Sequence, residues 1–162
     1  MDVSGKKVLK VDASGRFFLP KGCIEPVLGD DGEPRLPELW LCPSAEGCLQ
    51  VVDKQEYRRL QKRMRSSEYG NKRTHELQRF FFGLTSRVKA DRSGRITISE
   101  EQREFAAIVT GELFFQGLGR RIELWGMELA KAMKLLSPAS KAKDKKFMGD
   151  LSKLLQGERL DS

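Results

Sequence analysis

Two short stretches of the chain share the pattern Asp-x-Ser-Gly-Arg, which combines a tight turn with a charged pair. The first runs from Asp12 to Arg16 and the second from Asp91 to Arg95. An aspartate that opens such a turn accepts hydrogen bonds from the turn's own amides, and the glycine tolerates the left-handed backbone of a three-residue loop. The arginine comes last, and its guanidinium can hold a phosphate or a guanine edge through two hydrogen bonds. The pattern therefore suits anion binding as well as turn formation.

The charge balance of the chain favours an anionic partner. Lysine and arginine together number 30 against 23 acidic residues, which gives a net charge of +7. Such an excess is typical of proteins that bind nucleic acid, although it also serves simple solubility. The charge balance therefore makes nucleic acid the first candidate partner.

Alternating apolar residues flank each loop and predict two strands that share one buried face. The predicted buried positions are Leu9, Val11, Phe17 and Leu19 in the first copy and Val88, Ala90, Ile96 and Ile98 in the second. The candidate DNA contacts are Arg16, Arg95, Lys10, Lys7, Lys89 and Arg92, and the residues expected to shape the loops are Asp12, Gly15, Asp91 and Gly94. Turn chemistry alone leaves a second interpretation open, in which each arginine only pairs with its aspartate and fixes the turn.

Other kinds of site find little support in the sequence. The three cysteines, Cys23, Cys42 and Cys48, lack the spacing of a zinc site or a disulfide framework, so no metal site is predicted. His75 is the only histidine and lies in a helical pattern, where a solvated surface position is expected. We therefore predict no catalytic residues, no cofactor, no small-molecule substrate and no enzymatic activity.

The two loops belong to a longer internal repeat. The segment "ELWLCPSAEGCLQVVDKQEYRRL" from residue 38 parallels "ELFFQGLGRRIELWGMELAKAM" from residue 112. Each copy predicts strands around its loop, then a strand pair and a helix, so the expected fold is α+β with a mostly β core and peripheral helices. We expect a first repeat over residues 1–65, a connecting helix over 66–83, a second repeat over 84–136 and a polar tail over 137–162.

Capping patterns locate the helices of the two copies. Asp53 with Glu56, and Ser99 with Gln102, match the pattern in which the residue at the helix start and the residue three positions later cap each other. The apolar stripe of the first helix is predicted at Tyr57, Leu60 and Met64.

The connecting helix and the tail are less constrained. The segment "NKRTHELQRFFFG" predicts a helix whose Leu77, Phe80 and Phe81 face inward and which stops at Gly83. In the tail, Phe147, Leu151, Leu154 and Leu155 lie at helical spacing, so an amphipathic helix and a disordered segment remain alternatives.

The sequence offers no signal for a membrane. No apolar run approaches the ~20 residues that span a bilayer. The start of the chain, "MDVSGKKVLKVD", lacks the apolar segment of a secretory signal. We expect a cytoplasmic protein with reduced thiols.

Both loops and their surroundings resemble the MraZ family of bacterial transcriptional regulators. The resemblance rests on two copies of Asp-x-x-Gly-Arg in register, on Gly5 before the first copy, on "RFFFG" at 79–83 and on "GELFFQGLGRRIELW" at 111–125. It covers the chain to about residue 136. Family members carry an arginine-bearing helix after the first proline, where this chain has "PKGCIEP", whereas Arg103 keeps the version of the second copy.

The resemblance implies a fold and a mode of action. It implies two pseudo-symmetric swapped-hairpin units of the AbrB class, without a cofactor, that assemble into a ring. It further implies that Arg16 and Arg95 lie on loops facing DNA, with Asp12 and Asp91 shaping those loops, and that the ring binds short direct repeats in the promoter of the division and cell-wall gene cluster. Such a protein would be associated with the nucleoid.

A different class of function remains open on the sequence. The same loops could serve a protein partner, as in an antitoxin-like interaction module, with no specific role on DNA. The two hypotheses differ in the salt dependence of binding, because only phosphate contacts release counterions.

Overall fold

The computed structural model describes residues 1–65, 70–109 and 111–160, which form two compact units, Met1–Leu129 and Ala130–Ser162. The strands are β1 (Lys6–Lys10), β2 (Arg16–Phe18), β3 (Val27–Leu28), β4 (Pro34–Arg35), β5 (Leu39–Pro43), β6 (Leu49–Asp53), β7 (Ser86–Arg87), β8 (Arg95–Thr97), β9 (Glu112–Gly117) and β10 (Arg121–Gly126). The helices are α1 (Lys54–Arg65), α2 (Lys72–Leu84), α3 (Glu100–Phe105), α4 (Met127–Ala132) and α5 (Lys145–Leu155), with a short 3-10 helix at Pro138–Lys143. The predicted α+β class is confirmed.

A six-stranded antiparallel sheet forms the centre of the first unit, in the order β1-β9-β10-β6-β5-β7. Its inner strands are buried almost throughout, because other elements cover both of its faces. The side chains of one face, here called the core face, belong to the main apolar cluster. They include Leu39, Leu41, Leu49, Val51, Leu113, Phe115, Ile122 and Leu124.

A two-stranded ribbon of β2 and β8 packs on the core face. Phe17 lies directly opposite Ile96 in this ribbon, and both side chains belong to the main apolar cluster. Val11, just before the first loop, and Ile98, just after β8, are buried in the same cluster. The ribbon therefore covers the core face of the sheet and carries the two Asp-x-Ser-Gly-Arg loops, one at each end.

The strands that flank each loop pair with other strands. β1 pairs with β9, with Leu9 opposite Leu113, whereas β2 pairs with β8. β1 lies at the edge of the sheet, and the bonds that close the first hairpin are those of the loop itself, including the one from the Asp12 amide to the Arg16 carbonyl. Ala90, predicted to be buried, is exposed. An isolated bridge joins it to Ile96 across the base of the second loop.

The predicted caps of α1 and α3 are present. Asp53 accepts a hydrogen bond from the Glu56 amide at 2.9 Å at the start of α1. Ser99 and Gln102 cap each other at the start of α3, and the Gln102 amide group also donates to the Leu84 carbonyl at 2.8 Å. This buried glutamine therefore ties α3 to the end of α2.

The connecting helix differs from its prediction in two respects. Part of the predicted span, residues 66–69, lies outside the described residues. Leu77 and Phe80 are exposed, because α2 packs along a single side and buries none of its residues completely. The helix also runs through Gly83 to Leu84, and Thr85 ends it by donating its hydroxyl to the Phe81 carbonyl at 2.7 Å.

The second unit contains the tail helix α5. Asp144 caps it by accepting hydrogen bonds from the amides of Lys146 and Phe147 at 2.9 and 3.2 Å. The helical alternative for the tail is therefore the one that the structure adopts. No helix in the described part of the chain is both long and apolar enough to cross a bilayer.

The close approach of β10 to the turn after α3 gives a stability test. A Cβ atom added at Gly126 would lie 2.4 Å from the Ala107 carbonyl oxygen, whereas one at Gly83 in α2 would meet nothing within 4 Å. We expect Gly126→Ala to lower the free energy of unfolding by roughly 1–3 kcal/mol through overpacking. Gly83→Ala should raise it by about 0.4–1 kcal/mol. Urea unfolding measures both changes. A Gly126→Ala variant as stable as the wild type would contradict the close contact between β10 and the turn after α3.

Candidate nucleic-acid interface

The ribbon of β2 and β8 brings the two loop arginines onto one surface. Arg16 lies opposite Thr97, and Phe18 lies opposite Arg95. Opposed residues of an antiparallel pair, and residues two apart in a strand, share a face. These four residues therefore form one surface, the outer face of the ribbon, while Phe17 and Ile96 point into the core. Phe18 remains 55% exposed there.

The first loop is shaped by Asp12. One oxygen of its carboxylate accepts hydrogen bonds from the amides of Ser14 and Arg16 at 3.0 and 2.9 Å. The other oxygen accepts from Nε of Arg16 at 2.7 Å. Gly15 closes the loop with a φ of 81°, a left-handed conformation that favours glycine.

The second loop repeats this arrangement residue for residue. Asp91 accepts hydrogen bonds from the amides of Ser93 and Arg95 at 2.8 and 3.0 Å, and from Nε of Arg95 at 2.9 Å. Gly94 has a φ of 86°. The same local sequence therefore produces the same loop twice, in different surroundings.

These bonds fix the direction of each guanidinium. An arginine has five N–H donors, and the aspartate engages the one on Nε. The two Nη groups of Arg16 and Arg95 remain for a bidentate contact with a phosphate or a base edge. Nη1 of Arg95 also lies 3.9 Å from an oxygen of Asp12, so one carboxylate stands near both arginines. Holding the side chains in this way reduces the conformational entropy that binding would otherwise cost.

The loop bonds favour the charged form of both aspartates. The pKa of Asp12 is lowered first by the hydrogen bond from the Arg16 amide, and that of Asp91 by the equivalent bond from Arg95. Each side-chain bond from the arginine acts in the same direction. Loop geometry and arginine orientation therefore depend on the same ionised group.

The two loops differ in what packs against them. Gly15 is buried, and a Cβ atom there would lie 2.3 Å from the Ile98 carbonyl oxygen and 2.7 Å from Nε of Arg103. Arg103 also donates from Nη1 to the Ala13 carbonyl at 3.3 Å. Gly94 is exposed, with nothing within 4 Å of the equivalent position, and borders a cleft of ≈ 470 Å³. The first loop is therefore enclosed and the second is open.

The other predicted contacts lie on β1 and around the second loop. Lys10 lies opposite Glu112 and Lys7 opposite Phe115 on β1, so strand alternation places these lysines on different faces. Lys89 and Arg92 are exposed in the approach to the second loop and at its tip. Their part in binding stays a prediction.

Two further residues matter here. Phe18 interrupts the alternation of the first copy, and this irregularity was the signal for its exposed position on the outer face. Arg103, which the family resemblance marks in the helix of the second copy, reaches the first loop from far along the chain, a contact that local sequence does not predict. Arg87, by contrast, is engaged in a structural contact, with its guanidinium paired to Glu38 and lying 5.8 Å from the centre of the Trp40 ring.

The cysteines and the residue types that bind metals form no recognisable site among the described residues. The three cysteines are free thiols, and burial raises the pKa of both Cys42 and Cys48 to about 12. Within the described ranges, no group of three or more histidine, cysteine or acidic side chains is arranged to hold a metal ion.

Comparison with known proteins gives consistent relatives. No family model matches the chain. A transcriptional regulator MraZ from Heliobacterium modesticaldum is 30% identical over 118 residues, which cover 73% of this chain and 76% of the relative. MraZ regulators from Acetivibrio thermocellus and Kineococcus radiotolerans are 30% and 29% identical, over 71% and 76% of this chain and 74% and 80% of their own.

The aspartate of the second loop predicts an acid-dependent stability. A lowered folded pKa means that the ionised Asp91 stabilises the fold above the ordinary aspartate value of 3.8. That contribution is lost as the pH falls through the lowered folded value. Above that pH, we expect the Asp91→Asn variant to unfold at a lower urea concentration than the wild type. The difference between the two urea midpoints should narrow in acid. A gap that persists in acid would contradict this assignment.

The enclosure of the first loop predicts unequal exchange of two glycine amides. Both amides donate to their aspartate carbonyl at 3.0 Å, so only the surroundings differ. We expect the Gly15 amide to exchange with solvent more slowly than the Gly94 amide, and Arg103→Met to bring the two rates together. Hydrogen exchange followed by NMR measures this. Equal rates in the wild type would be inconsistent with the enclosing role of Arg103.

Proposed function

Because the chain belongs to the MraZ family of transcriptional regulators, we propose that it regulates transcription by binding double-stranded DNA through the outer face of the ribbon. The observation that carries this proposal is the pair of arginines, each held through Nε by a loop aspartate and presented on one surface. Two-stranded ribbons of this width fit the major groove of B-form DNA. We propose that it does so without a cofactor and without catalysis.

The proposed roles of the two arginines follow from their geometry. Bidentate contacts from Arg16 and Arg95 would supply sequence readout or fix the register on phosphates. Lys7, Lys10, Lys89 and Arg92 would add sequence-independent phosphate contacts around them. Thr97 and Phe18 would contact base edges or a thymine methyl group between the two arginines.

We infer that the two sequence repeats, residues 1–65 and 84–136, form interlocked swapped-hairpin units. Strand pairing supports this, since β1 pairs with β9 of the other repeat and β7 pairs with β5. The central positions also correspond, because Phe17 opposes Ile96 and Gln50 opposes Glu123. Each of these pairs consists of equivalent residues from the two copies.

We further propose that several copies form a ring on short direct repeats in the promoter of the division and cell-wall gene cluster. Each ribbon offers a small surface, so a single chain would bind weakly. Joining several ribbons on spaced sites raises the overall affinity through effective concentration. Such a regulator would work in the cytoplasm, on the nucleoid.

A protein-interaction module is the second candidate, favoured by the exposure of Phe18 beside Arg95. Exposed aromatic and arginine side chains are also common at the centre of protein interfaces. Binding that does not respond to salt, to a stoichiometric protein partner rather than to DNA, would support this alternative.

The outer face of the ribbon gives the direct test. We expect Arg16→Ala to abolish specific binding to the DNA upstream of the protein's own gene, and to reduce the salt slope by about one, because one contact is lost. Arg95→Ala should weaken binding in the same sense. Mobility-shift titrations at several salt concentrations measure both effects, and light scattering should show an unchanged oligomer.

The matched control is Arg73→Ala. Arg73 is an exposed arginine in α2 that pairs with Glu76 at 3.0 Å, outside the ribbon, so its loss should leave DNA affinity unchanged. Promoter binding by Arg16→Ala at wild-type affinity would overturn the proposed interface.

A further inference from the structure

Most of the net positive charge of the chain lies on helix α1, away from the ribbon. Helix α1 contains six basic residues and one acidic residue, which gives it a net charge of +5, against +7 for the whole chain. The remaining 150 residues therefore contribute only +2. The charge excess that indicates a polyanionic partner is concentrated on one short helix.

Helix α1 lies on the side of the sheet opposite the ribbon. Its Tyr57 ring stacks on Trp40 with the ring centres 4.8 Å apart. Trp40 alternates along β5 with Leu39 and Leu41, which belong to the core face beneath the ribbon. The side chain of Trp40 therefore points to the other face, and α1 covers it there.

Local contacts fix which side of α1 faces outward. Tyr57, Leu60 and Met64 are half-buried and turn toward the sheet. The Met64 carbonyl accepts a hydrogen bond from the Gln78 side chain of α2 at 2.7 Å. The helix is thus held at its start by Asp53 and near its end by α2.

Three exposed cations form a line on the outward side. Arg58, Lys62 and Arg65 stand four and three residues apart, which places them on one side of a helix, and we call them the α1 stripe. The neighbouring Lys54 pairs with Glu38 at 3.3 Å. The stripe residues have no such acidic partner among the residues that the structure describes.

With nothing bound to it, the α1 stripe lowers the stability of helix α1. Like charges spaced in this way repel one another. The helix dipole favours cations in the last turn, which accounts for Lys62 and Arg65 but not for Arg58 in the second turn. A polyanion laid along the stripe would relieve this repulsion and release its own counterions.

We propose that the α1 stripe binds the phosphate backbone of DNA independently of sequence, as a second surface on the opposite side of the subunit. Only the identity of the polyanion rests on the proposed function. With the outer face of the ribbon reading one segment, the α1 stripe holds a second segment, so one assembly links two duplexes.

The test removes the stripe and compares it with an equal loss of charge elsewhere. The triple variant R58Q/K62Q/R65Q is titrated against a scrambled-sequence duplex at several salt concentrations. The control variant K143Q/K145Q/K146Q removes three lysines of the second unit. We expect the stripe variant to lose at least about tenfold in affinity at low salt, with a salt slope smaller by up to about 2.7, since each phosphate contact contributes about 0.9.

A linking assay examines the second segment directly. A biotinylated promoter duplex on beads should retain a labelled scrambled duplex in the presence of the wild-type protein, and should lose it with the stripe variant. The control variant should retain both duplexes. Equal behaviour of the two triple variants in titration and linking would overturn the proposal, as would wild-type binding to RNA without binding to the scrambled duplex.

Two further measurements keep the outcomes distinct. Should thermal unfolding show that the triple variant is not folded, Arg58→Gln alone is used, and an unchanged salt slope would then overturn the proposal, because about 0.9 is expected. A wild-type protein that binds promoter and scrambled duplex equally well would contradict specific regulation through the ribbon. The stripe would still be tested on the scrambled duplex in that case.

Discussion

The pairing of β2 with β8 is the contact on which the candidate interface depends. It consists of three opposed residue pairs, with Phe17 and Ile96 buried at its centre. The two strands come from distant parts of the chain, so this pairing brings the two loops to one surface. The same buried pair closes the apolar core, so the position of the arginines and the stability of the core share one origin. A change that weakens this pair would act on both.

Within each loop, one aspartate carboxylate determines both the shape of the turn and the orientation of the arginine. Its bonds to two backbone amides set the turn, and its bond to Nε sets the orientation of the guanidinium. The interpretation in which the arginine only stabilises its loop and the interpretation in which it binds an anion are therefore compatible. An arginine that is held through Nε keeps its most useful donors for recognition.

Short-range chemistry was predictable from the residue pattern, whereas long-range pairing was suggested only by the family resemblance. The loop bonds of Asp12 and Asp91 and the caps of α1 and α3 follow from residue types a few positions apart. The exchange of strand partners, in which β1 pairs with β9, follows from competition among strands of similar pattern, which periodicity does not resolve. The exposed Leu77 and Phe80 and the reach of Arg103 to the first loop likewise depend on tertiary packing. For this reason the two loops looked equivalent in sequence although only one is enclosed.

The register of the central strands sets Gln50 directly opposite Glu123, whose side chain is buried and accepts a hydrogen bond from Nε1 of Trp125 at 3.1 Å. In the interlocked arrangement that we propose, these are equivalent positions, so each would meet its own counterpart. Two identical chains arranged in this way would bring glutamate against glutamate, with two buried like charges. A single chain that contains both copies can set an amide against the carboxylate.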